Sequence, residues 1–130
     1  MTGFNPTAER HQKTWGYEDW IHNDEKYCGK KLVIGSGFNC SFHYHKLKDE
    51  VLYLQSGIIE FYYANQGDIE IKKITLTPGM SFHVTPYLVH QMYAVREAEI
   101  FEFSTQHFDS DSYRLARDKV QEGPCPEITL

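Results

Sequence analysis

The chain has 130 residues, of which 41% are apolar and 24% charged, and carries a formal charge of −5. That is the length and composition of one globular domain, too short for two and without any apolar run near the roughly 18 residues of a spanning helix. An acidic balance with no basic stripe speaks against nucleic acid and anionic membranes as partners.

In chain order, Met1 to Arg10 lacks the basic-then-apolar layout of a secretory signal. Glu9 to Trp20 reads as a lead-in arm. Aromatic residues make up 15% of the chain, nine Tyr and eight Phe among them, and favour strands. Short alternating stretches follow at Ser41 to His45, Val51 to Gln55, Ile58 to Tyr63, Ile69 to Leu76, Ser81 to Thr85 and Ile100 to Thr105. Turn signals separate them at Gly35-Ser36-Gly37, Ser56-Gly57, Asn65-Gln66-Gly67-Asp68 and Pro78-Gly79. Many short strands at this spacing predict an all-β sandwich or barrel. Ser110 to Gln121 is expected as a short C-terminal helix, which Gly123-Pro124 and Pro126 end in a tail. Cys28, Cys40 and Cys125 are odd in number, far apart and without a CxxC pair, so no disulfide framework is expected and a reducing cytoplasm is the expected compartment.

The chemistry is concentrated in the middle. Period-two geometry puts His43 and His45 on one face of a strand, close enough for both imidazoles to reach one ion at about 2.0–2.2 Å. Glu50, five residues on, has room for a tight turn and re-entry on the neighbouring strand, where its carboxylate adds an anionic ligand. Cys40 reads as a buried small residue. Tyr44, Tyr53 and Tyr62 read as packing residues, and His11, His22 and His107 carry no spacing signal. Lys31, Lys46, Lys48 and Arg114 are the cations available to an anionic group such as phosphate, although Lys46 and Lys48 flank a turn and are expected to be solvated.

Gly37, five residues, His43-Tyr44-His45, four residues, Glu50, six residues and Gly57 resembles the first motif of the cupin superfamily at every spacing. In the second motif Gly79 is present and His90 stands at the third histidine. Thr85, Tyr87 and Ala94 replace the family's proline, glycine and asparagine, and Pro86 lies one place late. The resemblance implies an all-β, single-domain double-stranded β-helix, or jelly-roll barrel. The N-terminal arm would span residues 1–20, the barrel 21–108, and the C-terminal helix and tail 109–130. It implies one divalent metal (Zn, Mn, Fe or Ni) held by His43, His45, Glu50 and His90, and a homodimer paired through edge strands.

Within that superfamily the chain resembles the type II mannose-6-phosphate isomerase group. Trp15-Gly16-Tyr17-Glu18, Lys31-Leu32, Glu102, and Asp111-Ser112-Tyr113-Arg114-Leu115 with Asp118 carry the likeness. His43 stands where that group has glutamine, and Val51 where it has histidine. The resemblance implies an isomerase acting on a sugar or sugar phosphate, with Glu102 or His83 taking the proton. A non-haem iron dioxygenase and a non-catalytic metal-dependent sugar-binding or sensor module are the alternatives.

Overall fold

Two long strands organise the molecule. The computed structural model describes residues 3–4 and 6–115. Among them are β1 (Glu9–Lys13), β2 (Gly16–Asn23), β3 (Cys28–Ile34), β4 (His43–Tyr44), β5 (Glu50–Ala64), β6 (Lys72–Leu76), β7 (Ser81–Val84), β8 (Val89–Ser104) and β9 (Tyr113–Arg114), with a 3-10 turn at Asp109–Asp111. Every strand pairing is antiparallel. The first half of β5 pairs with β7 and with the second half of β8, which continues through β3 and β2 to β1. The second half of β5 pairs with β6 and with the first half of β8, which continues through β4 to β9. The two layers are therefore one curled sheet, closing as a jelly-roll barrel around Leu32, Ile34, Leu52, Leu54, Ile59, Phe61, Met92 and Ile100.

The fold of the sheet is set near Gly57. Val51–Gln55 and Ile58–Tyr63 were expected as separate strands with a turn at Ser56-Gly57; they form one strand whose register shifts three times between Leu54 and Ile59. Such bulges bend a strand without ending it. Gly57 has φ +90, and a Cβ there would collide with the Glu97 carbonyl oxygen and lie 2.6 Å from Ala98 Cα. Only glycine fits this corner.

Both chain ends depart from expectation. The arm is a hairpin: β1 and β2 pair from Glu9↔Trp20 to Lys13↔Gly16, and β2 pairs with β3, so this segment extends the sheet. Asp19 is buried and takes two hydrogen bonds from the Arg10 guanidinium, at 2.8 and 3.1 Å, fastening the two strands. Toward the other end, the described part of the expected helix is the 3-10 turn followed by β9, because residues 113 and 114 find a strand partner in β4. The rest of that helix, with Asp118, lies outside the described residues. Among the described residues no helix is long and apolar enough to cross a membrane.

Candidate metal centre

His43 and His90 are direct cross-strand partners on β4 and β8, and His45 follows His43 by two residues, so all three rings face the barrel interior. Their ring centroids lie 4.3 Å apart for His43–His90, 5.0 Å for His43–His45 and 5.7 Å for His45–His90. One nitrogen from each falls within 4.8 Å of the others. Each Nδ1 lies against a backbone carbonyl: His43 to Ser41 at 2.8 Å, His45 to Asp111 at 2.8 Å, and His90 to Leu88 at 2.9 Å. A carbonyl only accepts, so each Nδ1 carries the proton and each Nε2 presents a lone pair. This is the tautomer that metal-ligating histidines adopt.

Glu50 enters the cluster from the start of β5. Its Oε2 lies 3.4 Å from His45 Nε2 and 3.8 Å from His90 Nε2, and this buried oxygen has no hydrogen-bond partner. Two donors at about 2.1 Å from one tetrahedral ion are about 3.4 Å apart. Burial, with the neighbouring imidazoles next for His45, lowers that ring and His90 to about 3, and drives His43 well below its ordinary value. The rings are neutral, and no ion pair with Glu50 exists. Burial first, then the charge of Glu102, raises the Glu50 carboxyl, so without a cation Glu50 holds a proton. Three neutral imidazoles with a nitrogen from each within 4.8 Å of the others, and an orphaned carboxyl oxygen beside two of them, fit a divalent ion, whose charge would restore Glu50 to its ionised form.

Glu102, on β8, is buried beside this cluster. Lys48 Nζ donates to its Oε2 at 3.0 Å and Ser104 Oγ at 2.9 Å. Burial alone would raise the Glu102 carboxyl, but the positive charges of Lys48 and Lys30 outweigh it and hold the group low. Lys48 is only 3% exposed, which corrects the expectation that it is solvated: burial alone would lower its ammonium, but the Glu102 carboxylate it donates to helps to outweigh that and hold it charged. Lys48 Nζ also lies 3.1 Å from His107 Nδ1, whose Nε2 reaches Asp109 Oδ1 at 3.0 Å.

The cluster opens into a cavity of about 490 Å³, walled on one side by the N-terminal hairpin through Lys13, Trp15, Glu18 and Trp20. Lys30, 2% exposed, lies 3.3 Å from Glu18 and 4.4 Å above the Trp20 ring, whose His11 neighbour is stacked at 4.0 Å. Arg114 lines the same cavity, opposite His43 in the β4–β9 register, and its Nε donates to Ser41 Oγ at 3.3 Å. Other expected site residues stand elsewhere. His83 lies on the outer side of β7, 57% exposed, with Nε2 2.8 Å from Asp49 Oδ1, and is not brought to the cavity. Lys31 reaches Asp19 and Glu99 instead, and Lys46 sits over the Tyr113 ring. Lys30, His11, His107 and the hairpin wall were missed by spacing. The alternation placing Glu18 and Trp20 on one face of Gly16–Asn23 is the sequence signal that points to the wall.

A family model described as Cupin matches residues 4–123. The chain belongs to the cupin family. No curated protein matches it by sequence. Solved structures similar to this cupin include the capsular polysaccharide assembling protein CapF of Staphylococcus aureus, 14% identical with a TM-score of 0.77 over 85% of this chain and 32% of that one. An oxalate decarboxylase variant of Bacillus subtilis is 16% identical with a TM-score of 0.74, over 83% of this chain and 30% of that one. KdgF of a Halomonas species is 15% identical with a TM-score of 0.67, over 78% of this chain and 91% of that one. The cupin described here thus spans about a third of the CapF and decarboxylase chains, and at these identities the likeness is one of fold.

Two departures from the family's second motif have local consequences. Tyr87, in place of glycine, takes φ +72. Thr85 to Leu88 forms a turn closed by Leu88 N–H to Thr85 O at 3.2 Å, with Pro86 and Tyr87 at its centre. A residue at that second central position needs positive φ, which tyrosine adopts only under strain. The Tyr87 N–H donates to the His45 carbonyl at 2.7 Å, so the strained turn braces the strand end that carries a cluster histidine.

Proposed function

We propose that this cupin is a metal-dependent isomerase, or a related enzyme, acting on a sugar or sugar phosphate, with His43, His45, Glu50 and His90 holding one divalent ion. The observation that carries the reading is the cluster of three imidazoles, with the unpartnered Glu50 Oε2 3.4 and 3.8 Å from two of them, lining a cavity of about 490 Å³, a volume suited to a small metabolite. When bound, the ion supplies Lewis acidity to adjacent carbonyl and hydroxyl oxygens of an open-chain sugar. Glu102, kept ionised by Lys48 and Lys30, lines the cavity and is the proposed proton acceptor. Lys13 and Arg114 bring positive charge to the cavity wall, where a phosphate or another anionic group is favoured. The Trp20 ring, with His11 stacked on it and Lys30 over it, ties the hairpin wall to β3.

The sugar assignment is supported by the Trp15-Gly16-Tyr17-Glu18 and Asp111–Leu115 segments, and by the fold shared with a protein named for assembling capsular polysaccharide. The test is a panel of aldose and ketose phosphates offered to metal-loaded protein with oxygen uptake followed in parallel. Interconversion without oxygen use is the expected result. Oxygen consumption would replace the reading with a non-haem iron dioxygenase, and specific binding with neither activity would replace it with a binding module.

A further inference from the structure

Asp111 is joined to the cluster twice. It belongs to the 3-10 turn Asp109–Asp111, sixty-six residues from His45 in sequence, and is 4% exposed. Its backbone carbonyl takes the His45 Nδ1 proton at 2.8 Å. Its carboxylate receives three consecutive backbone amides: Lys46 N–H on Oδ1 at 2.9 Å, Leu47 N–H shared by both oxygens at 3.2 Å, and Lys48 N–H on Oδ2 at 3.0 Å. Successive amides turned toward one point form an anion-binding nest, here filled by a side chain of the same protein. The nest spans the loop between His45 on one side and Glu50 on the other, and it anchors the backbone from which Lys48 reaches Glu102.

We propose that Asp111 is a positioning residue of the metal centre, setting the His45 ring through its carbonyl and the His45–Glu50 spacing through its carboxylate. The proposal rests on the metal-centre reading. Its chemistry is simple: a ring whose Nδ1–H is tied to a fixed acceptor presents Nε2 in one orientation, and a loop clamped at three amides holds its two flanking ligands at one separation. The C-terminal turn is on this account part of the site, and the 46–48 loop cannot relax independently of it. A purely structural role, loop pinning for the sake of the fold, makes a different prediction, because it lowers stability without touching affinity.

The test compares Asp111→Ala and Asp111→Asn with Asp24→Ala, using full-length metal-free protein titrated with Co2+. Asp24 is the control because it also accepts consecutive turn amides, from Lys26 at 2.8 Å and Tyr27 at 3.0 Å, but on an exposed loop that does not line the cavity. Asp111→Ala is expected to weaken Co2+ binding about 10-fold or more and to alter the visible absorption of the bound ion. Asp111→Asn keeps one carbonyl acceptor for the nest and should recover part of both. Asp24→Ala should lower the melting temperature of the metal-free protein and leave affinity and spectrum unchanged. If Asp111→Ala fails to fold, the Asn variant carries the comparison through the same two readouts. Wild-type affinity and spectrum in a folded Asp111 variant would overturn the proposal while leaving the metal centre standing. Absence of Co2+ binding by the wild type would remove the centre itself, and the proposal with it.

Discussion

Replacing Glu50 by Gln separates stability from binding, because the two effects have opposite signs. In the metal-free protein burial raises the Glu50 carboxyl from 4.5 to about 8. A folded-state value above the unfolded one means that the stabilising proton is fully present below about 4.5 and is lost as pH rises through the folded value. At pH 7 the unfolded chain ionises this group while the folded chain does not, a penalty on the order of 3 kcal/mol at about 1.4 kcal/mol per unit. Glutamine has the same shape and never ionises, so Glu50→Gln should raise the melting temperature of the metal-free protein at pH 7 by roughly 10 °C. The gain should vanish near pH 4. Added Zn2+ should narrow the gap and close it at high excess: the wild type gains about 2.7 kcal/mol at a hundredfold excess over Kd and about 4.1 kcal/mol at a thousandfold, and the variant, short of its anionic ligand, gains less. Differential scanning fluorimetry between pH 4 and 8, with a chelator and then with Zn2+, reads both effects. A variant less stable than wild type at pH 7 without metal would refute the reasoning, since it would mean that the Glu50 carboxylate is satisfied by the protein itself.

Acid should unfold the metal-free protein early. Burial depresses all three cluster histidines below their unfolded value of 6.5, so the stability they confer is present above that value and is lost as pH falls from 6.5 toward about 3. With Glu50 shifted the other way, unfolding near pH 5.5 takes up a net of about two protons. Urea titrations should then show a loss of about 2–3 kcal/mol per pH unit, and a flat profile would contradict this. Gly57→Ala should destabilise the fold by about 2 kcal/mol or more, because the new methyl meets the 97–98 backbone at positive φ; a melting temperature within 2 °C of wild type would exclude Gly57 as the corner. The expected homodimer should scatter light as twice the 15.2 kDa chain. Pairing through edge strands is the expectation, yet the edge strands β1 and β6 carry Arg10, Lys13, Lys72 and Lys73, while Phe103 on β8 is 60% exposed. A monomer at micromolar concentration would contradict the assembly.

The histidine cluster was legible from sequence because its residues come from local regularities. His43 and His45 share a face by period two, Glu50 follows across a loop of four residues, and His90 stands at a motif position. Ser41 and Leu88 orient His43 and His90 from two residues away, but the rest of what tunes the cluster comes from pairings of high sequence separation. Lys30 meets Glu102 through the β3–β8 register, and Asp111 meets His45 across the barrel end. Lys48 flanks a turn, where solvation is the expectation, and only the folded chain brings the Glu102 carboxylate beneath it. Ser56-Gly57 has the composition of a turn, and a bulged corner asks for the same residues. Glu9–Lys13 is a polar edge strand with four of its five residues exposed, so the hairpin carries little apolar alternation in its first strand to mark it in the sequence.

Elemental analysis of the purified chain, beside His45→Ala and Glu50→Ala, tests the central claim most directly. About one divalent ion per wild-type chain, retained through gel filtration and lost from both variants, is the predicted result. Wild-type protein that cannot be loaded with any divalent ion, or variants that hold it as tightly, would contradict the account.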